Sequence, residues 1–301
     1  MTRNFAIAAL QLEIEVWDGD ATVAKMEEVI RQHAASFPWI DLYVAPELAM
    51  SGYVHFKNFT PQQLNDAAQS IPGPRVERIQ KLAKRVGKWI VPGSMWELAE
   101  DGTRYNTAVV INPDGEIVAK YRKMYPWLPY EVGTGSGSEY CVFDIPDVGR
   151  IGLAICYDTW FPEVSRNLAW MGAEVILRPT LTPTSDRDTE LVMSRANAAF
   201  NQCYFVDING YGPWGGGRSA IYDPNGRVLQ EYGAGGAVLT EILDLDLVQT
   251  TREHGTLGLC QTWKQLRDTN APQPMYDDLG SGDIFKTIGD LELPTNLRGA
   301  T

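Results

Sequence analysis

Apolar side chains recur along this chain in two rhythms, short continuous runs and spacings of three to four residues, and the two alternate as far as about residue 245. Residues 5–12 form the first run and predict a strand. Residues 21–35 follow with Val23, Met26 and Ile30 on one face, the spacing of an amphipathic helix. A short strand is expected over 41–45, ending at Pro46-Glu47. A helix is expected over 74–86, with Pro74 near its start, and strands over 89–96 and 106–112. Pro113, Asp114 and Gly115 form a turn signal, so 116–121 is expected to return as a hairpin partner.

The second half repeats the theme. It predicts strands over 150–155 and 174–177, helices over 162–171 and 186–201, and a strand over 204–208. A glycine-rich loop at 210–217 leads into a strand at 219–222. A second turn of the same kind, at 223–226, precedes strands over 227–230 and 239–245. Helices between strands, with two hairpins added, predict an α/β sandwich of two sheets covered by helices. Past Asp268 the periodicity fades into Asn270, Pro272 and Pro274. The expected division is one catalytic-size domain over 1–267 and a C-terminal tail over 268–301. Met275, Tyr276, Ile284 and Phe285 suggest that this tail packs on something, such as a partner subunit.

Composition narrows the class of function. With 38 acidic and 26 basic residues, the net charge of −12 argues against nucleic acid or an anionic membrane as a partner, since nothing in bulk would neutralise phosphates. Three histidines (His33, His55, His254) and four cysteines (Cys141, Cys156, Cys203, Cys260) include no CxxC and no HxxxH spacing, so no metal site and no cofactor are expected. Few cysteines also fit reduced thiols in a cytoplasmic protein. The first apolar run gives way at once to Glu13 and Glu15, unlike a signal peptide. No run approaches the ~20 residues that span a bilayer.

Three positions stand where chemistry could be done. Cys156 closes the apolar run 151–155 and precedes Pro162-Glu163, so its thiol would sit at a sheet edge beside backbone N–H groups. Glu47 ends the strand over 41–45, at the kind of strand end where α/β proteins place ligand-binding groups. In a dry pocket such a carboxylate can serve as general base. Lys123 follows the strand over 116–121 and could aim an ammonium at a developing oxyanion. Each has a plainer reading, as a core thiol, a loop carboxylate and a surface ammonium.

Pro46-Glu47 with Gly52-Tyr53, then Tyr121-Arg122-Lys123, then Cys156-Tyr157-Asp158 with Pro162-Glu163, resemble in order and spacing the three catalytic motifs of the nitrilase (carbon–nitrogen hydrolase) superfamily. The resemblance runs from Phe5 to about Leu245. It implies a four-layer α-β-β-α sandwich of two mixed sheets flanked by helices. It also implies Glu47 as general base, Lys123 as oxyanion-stabilising cation and Cys156 as nucleophile, assisted by the Tyr157 N–H. The stretch after Lys123 is similar to the aliphatic amidase and formamidase branch. That branch has a second glutamate eight residues after its lysine, which implies Glu131 as an orienting residue.

The resemblance therefore implies an amidase that cleaves a small-molecule amide to an acid and ammonia through a thioester. Its His-poor composition is no obstacle, because the base is a carboxylate. Tyr53, Trp127, Tyr157 and Trp160 are candidates for the substrate pocket, with Tyr130 and Trp214 nearby. Residues 132–138 depart from the aliphatic amidases and leave room for larger amides. Cys156-Tyr157-Asp158 differs from the Cys-Trp-Glu of true nitrilases, which ranks nitrilase last. An N-carbamoyl hydrolase ranks between, with Arg178, Arg187 and Arg195 as candidates to hold a substrate carboxylate. A non-catalytic acyl-binding or partner-binding member would be expected to lack one of Glu47, Lys123 and Cys156, and all three are present. The family also implies a homodimer or larger homo-oligomer, associating through the helix after the nucleophile, here 161–171.

Overall fold

The computed structural model describes residues 3–53, 60–128, 130–279, 282–288 and 290–291. The first strand shows how the layers arise. β1 (Asn4–Gln11) sends Phe5, Ile7 and Ala9 into one apolar cluster and Ala6, Ala8 and Leu10 into another, the two-residue alternation of a strand buried on both faces. α1 (Gly19–Ser36) covers the second of these faces with Val23, Met26 and Ile30. Asp18 caps the helix by accepting from the Ala21 N–H.

β2 (Leu42–Val44), α2 (Pro61–Ala67), α3 (Pro74–Val86), β3 (Trp89–Val91), β4 (Ser94–Leu98), β5 (Arg104–Ile111) and β6 (Ile117–Arg122) complete the first half. The second half contains β7 (Cys141–Ile145), β8 (Gly149–Leu153), α4 (Pro162–Trp170), β9 (Val175–Thr180), α5 (Arg187–Asn201), β10 (Tyr204–Asn209), β11 (Ala220–Tyr222), β12 (Val228–Glu231) and β13 (Ala237–Asp244). α6 (Leu245–His254), α7 (Thr262–Asp268) and α8 (Pro274–Asp277) follow.

One mixed sheet runs β13-β1-β2-β3-β5-β4, with β6 also on β5, and the other runs β12-β11-β10-β9-β8-β7. In each, a parallel centre (β1-β2-β3 and β8-β9-β10) is extended by antiparallel strands. The inner faces of both meet in one core, where Phe5, Ile7 and Val44 pack with Leu153, Leu177 and Val206. α1 and α3 cover the outer face of the first sheet. On the second sheet, Val164 and Leu168 of α4 and Leu191 and Ala198 of α5 join Ile176 and Phe205 on the outer face. The result is two mixed sheets flanked by helices. Each fully buried Leu, Ile or Phe contributes about 1.5–3 kcal/mol relative to exposure, so the inner core is the main source of stability.

Several elements differ from the sequence reading, the helices α2, α7 and α8 among them. The run 89–96 is two strands, broken at Gly93 (φ +78), where a Cβ would lie 1.7 Å from the Pro46 carbonyl oxygen. Only glycine allows that close approach, and it sets the β3–β4 bend against the residue before Glu47. β7 was not foreseen. It is an edge strand whose Cys141, Phe143 and Ile145 alternate inward over too few residues to stand out. α6 was also missed, and it begins at once after β13 with Asp244 as its cap. Met275, Tyr276, Ile284 and Phe285 are 44–65% exposed and so are not covered by this chain. Among the described residues no helix is long and apolar enough to cross a membrane.

Candidate active site

Glu47, Lys123 and Cys156 follow β2, β6 and β8, at strand ends of both sheets. The Glu47 N–H donates to the Thr180 carbonyl at the end of β9 (3.3 Å), so the carboxylate's own backbone bridges the two sheets. The Lys123 N–H donates to the Asn106 carbonyl on β5 at 2.8 Å. Cys156 opens a single 3₁₀ turn, Cys156–Trp160, with φ of +46. A non-glycine residue in that region costs on the order of 1–3 kcal/mol and persists only where its surroundings hold it. Here the Cys156 carbonyl accepts from the Thr159 hydroxyl (2.9 Å) and from Arg178 Nε (3.1 Å).

Behind the cysteine lies a buried polar quartet. Lys123 Nζ donates to Glu47 Oε1 (2.9 Å) and Glu131 Oε2 (2.7 Å), and Asn106 Nδ2 donates to Glu47 Oε1 and Glu131 Oε1, both at 2.8 Å. The Trp127 N–H also donates to Glu131 Oε2. The side chains of Lys123, Glu47 and Glu131 are fully buried. Burial by itself pulls the Lys123 ammonium down, but the carboxylates of Glu131 and Glu47 outweigh it and hold it well above its ordinary range. The Cys156 thiol is pushed up by burial first and then by the Glu47 carboxylate, with Lys123 opposing. A thiol so placed stays protonated at rest and needs a base at the moment of attack.

Cys156 opens onto a cavity of about 230 Å³, also lined by Trp127, Tyr157, Trp160, Leu181, Thr182, Pro183, Thr184, Asp186 and Glu190. Three of the four aromatic candidates therefore come together. Tyr53 is outside the described wall but beside the quartet, where the Glu131 and Glu47 carboxylates add to burial in pushing its hydroxyl up. It is buried, its hydroxyl donates to the Tyr130 carbonyl (3.1 Å), and its ring meets Trp96 edge-on. Trp214 packs near Ile14 and Leu181, and Leu181 lines the same cavity as Cys156.

None of the three arginines weighed for a substrate carboxylate is on the described wall. Arg178 is buried and pairs with Asp207 (3.0 Å) and Glu190 (2.8 Å). Arg187 pairs with the same two carboxylates, at 3.0 and 3.1 Å. Arg195 donates to the Gly226 carbonyl. Arg178 donates to the Cys156 carbonyl instead. Asn106, Asp158, Arg178, Glu190 and Asp207 have roles here that the sequence reading did not assign. For Asn106 and Asp207 the local signal is a polar residue inside an apolar run, Asn106 before Val109 and Asp207 between Val206 and Ile208, while Asp158 lies within the Cys156 motif itself.

Residues 6–253 match the carbon-nitrogen hydrolase family. The chain belongs to that family. Formamidases of Bacillus thuringiensis (strain Al Hakam) and Bacillus cereus (strain AH820) are 29% and 30% identical to this carbon–nitrogen hydrolase over 210 residues. The matched stretch is 68% of this chain and 62% of either relative, less than two thirds of their length. Among solved structures, Saccharomyces cerevisiae Nit3, a nitrilase-superfamily member, shares the fold with a TM-score of 0.75 at 24% identity, covering 83% of this chain and 94% of that one. An amidase from Nesterenkonia sp. matches with a TM-score of 0.70 at 24% identity, covering 84% and 94%. A mutant of the Nesterenkonia sp. AN1 amidase shows covalent addition of the acetamide moiety of fluoroacetamide at its active site cysteine.

Proposed function

We propose that this carbon–nitrogen hydrolase is an amidase acting on small amides, with Cys156 as nucleophile, Glu47 as general base, Lys123 as oxyanion-stabilising cation and Glu131 as the residue that orients Lys123. The observation that carries this reading is the buried Lys123–Glu47–Glu131–Asn106 quartet beside a cysteine that lines a cavity. Two carboxylates against one ammonium leave the quartet one negative charge in excess, so a proton arriving from sulfur meets a group that favours it.

In the first half-reaction Glu47 takes the thiol proton as Sγ attacks the amide carbon. The oxygen of the tetrahedral intermediate is stabilised by Lys123 Nζ and the Tyr157 N–H. Collapse breaks the C–N bond, and Glu47 returns its proton to the departing ammonia, leaving a thioester on Cys156. In the second half-reaction Glu47 deprotonates a water that attacks the thioester. The acid leaves and the thiol regains its proton.

A cavity of about 230 Å³ is below the ~300–1,000 Å³ of pockets for drug-sized ligands, which favours a short acyl group. The engagement of Arg178, Arg187 and Arg195 elsewhere counts against an N-carbamoyl amino acid, whose carboxylate needs a cation. The test is intact mass spectrometry with ammonia detection over amides from formamide to aryl amides. The wild type is expected to release ammonia and carry an acyl adduct on the Cys156 peptide, and Cys156→Ala to do neither. No ammonia and no adduct across the panel would refute the reading.

The same protein is expected to pair with a second copy. Trp170 at the end of α4 and Val192 and Phe200 on α5 are 62–75% exposed, and Met275, Tyr276, Ile284 and Phe285 of the proposed 268–301 tail are exposed as well. Exposed apolar area of this kind marks an association surface. Light scattering should give at least twice the 33.5 kDa of one chain at micromolar concentration, and a monomer there would count against the pairing.

A further inference from the structure

Asp158 lies where loops from the two sheets meet. Its carboxylate accepts from the Tyr121 hydroxyl (2.7 Å), the Tyr125 N–H (2.9 Å) and the Ile155 N–H (2.9 Å). Tyr121 and Tyr125 stand on either side of Lys123, the first on β6 of the first sheet and the second in the loop after it. Ile155 immediately precedes Cys156, after β8 in the second sheet. One fully buried side chain thus holds the loop carrying the ammonium to the turn carrying the thiol. All three contacts are donors. An ionised carboxylate accepts all three at once, whereas the neutral acid carries a donor of its own that neither backbone N–H can accept, so at least one contact must change.

We propose that Asp158 is a positioning residue whose ionised carboxylate clamps the Lys123 loop to the Cys156 turn, so that the reactivity of Cys156 falls when Asp158 takes up a proton. The inference rests on the assignment of Cys156 as nucleophile. Burial pushes Asp158 up to about 6, against the opposing effects of the Lys123 ammonium, the Ile155 N–H and the Tyr121 hydroxyl. The titratable groups facing it are Tyr121 on β6, Lys123 and Tyr125 in the loop after it, and Tyr140 before β7. The sign follows directly. At pH above its raised titration point the carboxylate is charged and the clamp is closed, and below that point the acid is neutral and the clamp is weakened.

The experiment follows alkylation of Cys156 by iodoacetamide, mapped by peptide mass, from pH 4.5 to 9. Cys260, the exposed cysteine, is first replaced by serine. The parent protein is expected to show a fall in rate with an inflection near pH 6. Asp158→Asn should react at least tenfold more slowly at pH 7 and lack that inflection. Tyr121→Phe removes a donor that favours the charged form, and should move the inflection up by about 0.4–1 pH unit. A parent profile without the inflection, an inflection that persists in Asp158→Asn, or one that stays or moves down in Tyr121→Phe overturns the proposal. If Asp158→Asn fails to fold, Tyr121→Phe alone decides. Absence of Cys156 alkylation in the parent would overturn the nucleophile assignment itself and this inference with it.

Discussion

Glu47→Gln lowers kcat/KM for a simple amide by about 10²–10⁴-fold, the range that a positioned general base supplies. The substitution keeps the shape of the site. A glutamine Oε1 still accepts from Lys123 and Asn106, which lie 2.9 and 2.8 Å from Glu47 Oε1. What it removes is the capacity to take a proton and one negative charge. The second loss acts in the opposite direction on the sulfur, because the Glu47 carboxylate helps to hold the Cys156 thiol up. Glu47→Gln is therefore expected to shift the Cys156 titration to lower pH while turnover collapses. A structural defect would not produce that crossed pair of effects. Steady-state ammonia release together with a thiolate titration checks both, and wild-type turnover in the variant would remove Glu47 from the role of base.

Lys123→Met is expected to cost about 10²–10³-fold in kcat, as removal of an oxyanion donor does. It should also destabilise the fold by about 3–5 kcal/mol, the effect of taking one partner from a buried ion pair. The ammonium lies between two fully buried carboxylates, 2.9 Å from Glu47 and 2.7 Å from Glu131. Without it those carboxylates share only Asn106, and like charges at that spacing favour uptake of a proton. The stability deficit should then be larger at pH 8 than at pH 5, since acid neutralises the repulsion. The double variant Lys123→Met/Glu131→Gln is expected to recover much of the stability and none of the turnover. Urea denaturation at the two pH values and ammonia release separate these outcomes. A single variant as stable as wild type at pH 8 would show that the charges are not coupled as their geometry implies.

The sequence reading identified more of the fold than of the site. β1, α1, α3 and β10 were legible because strands buried on both faces and amphipathic helices carry their periodicity locally. β7 was not, since an edge strand with three inward residues has too short a pattern. The β3–β4 break was signalled only by Pro92-Gly93. Its cause, the Pro46 carbonyl 1.7 Å from a would-be Cβ, comes from a residue far away in the chain.

The sequence by itself determined the alternation of strands and helices, and it placed Glu47, Lys123 and Cys156 at strand ends within recognisable motifs. Only the tertiary structure decided what those residues touch. It placed Asn106 between Glu47 and Glu131, turned Arg178 from a possible substrate anchor into a support for the Cys156 carbonyl, and made Asp158 a link between two loops. It also tied the Tyr53 hydroxyl to the Tyr130 carbonyl. The physical reason is one of range. Hydrophobic periodicity is a property of neighbouring residues, whereas a buried charge must find its partner wherever the fold delivers one. The Lys123 and Glu47 that meet at 2.9 Å are 76 residues apart in the chain.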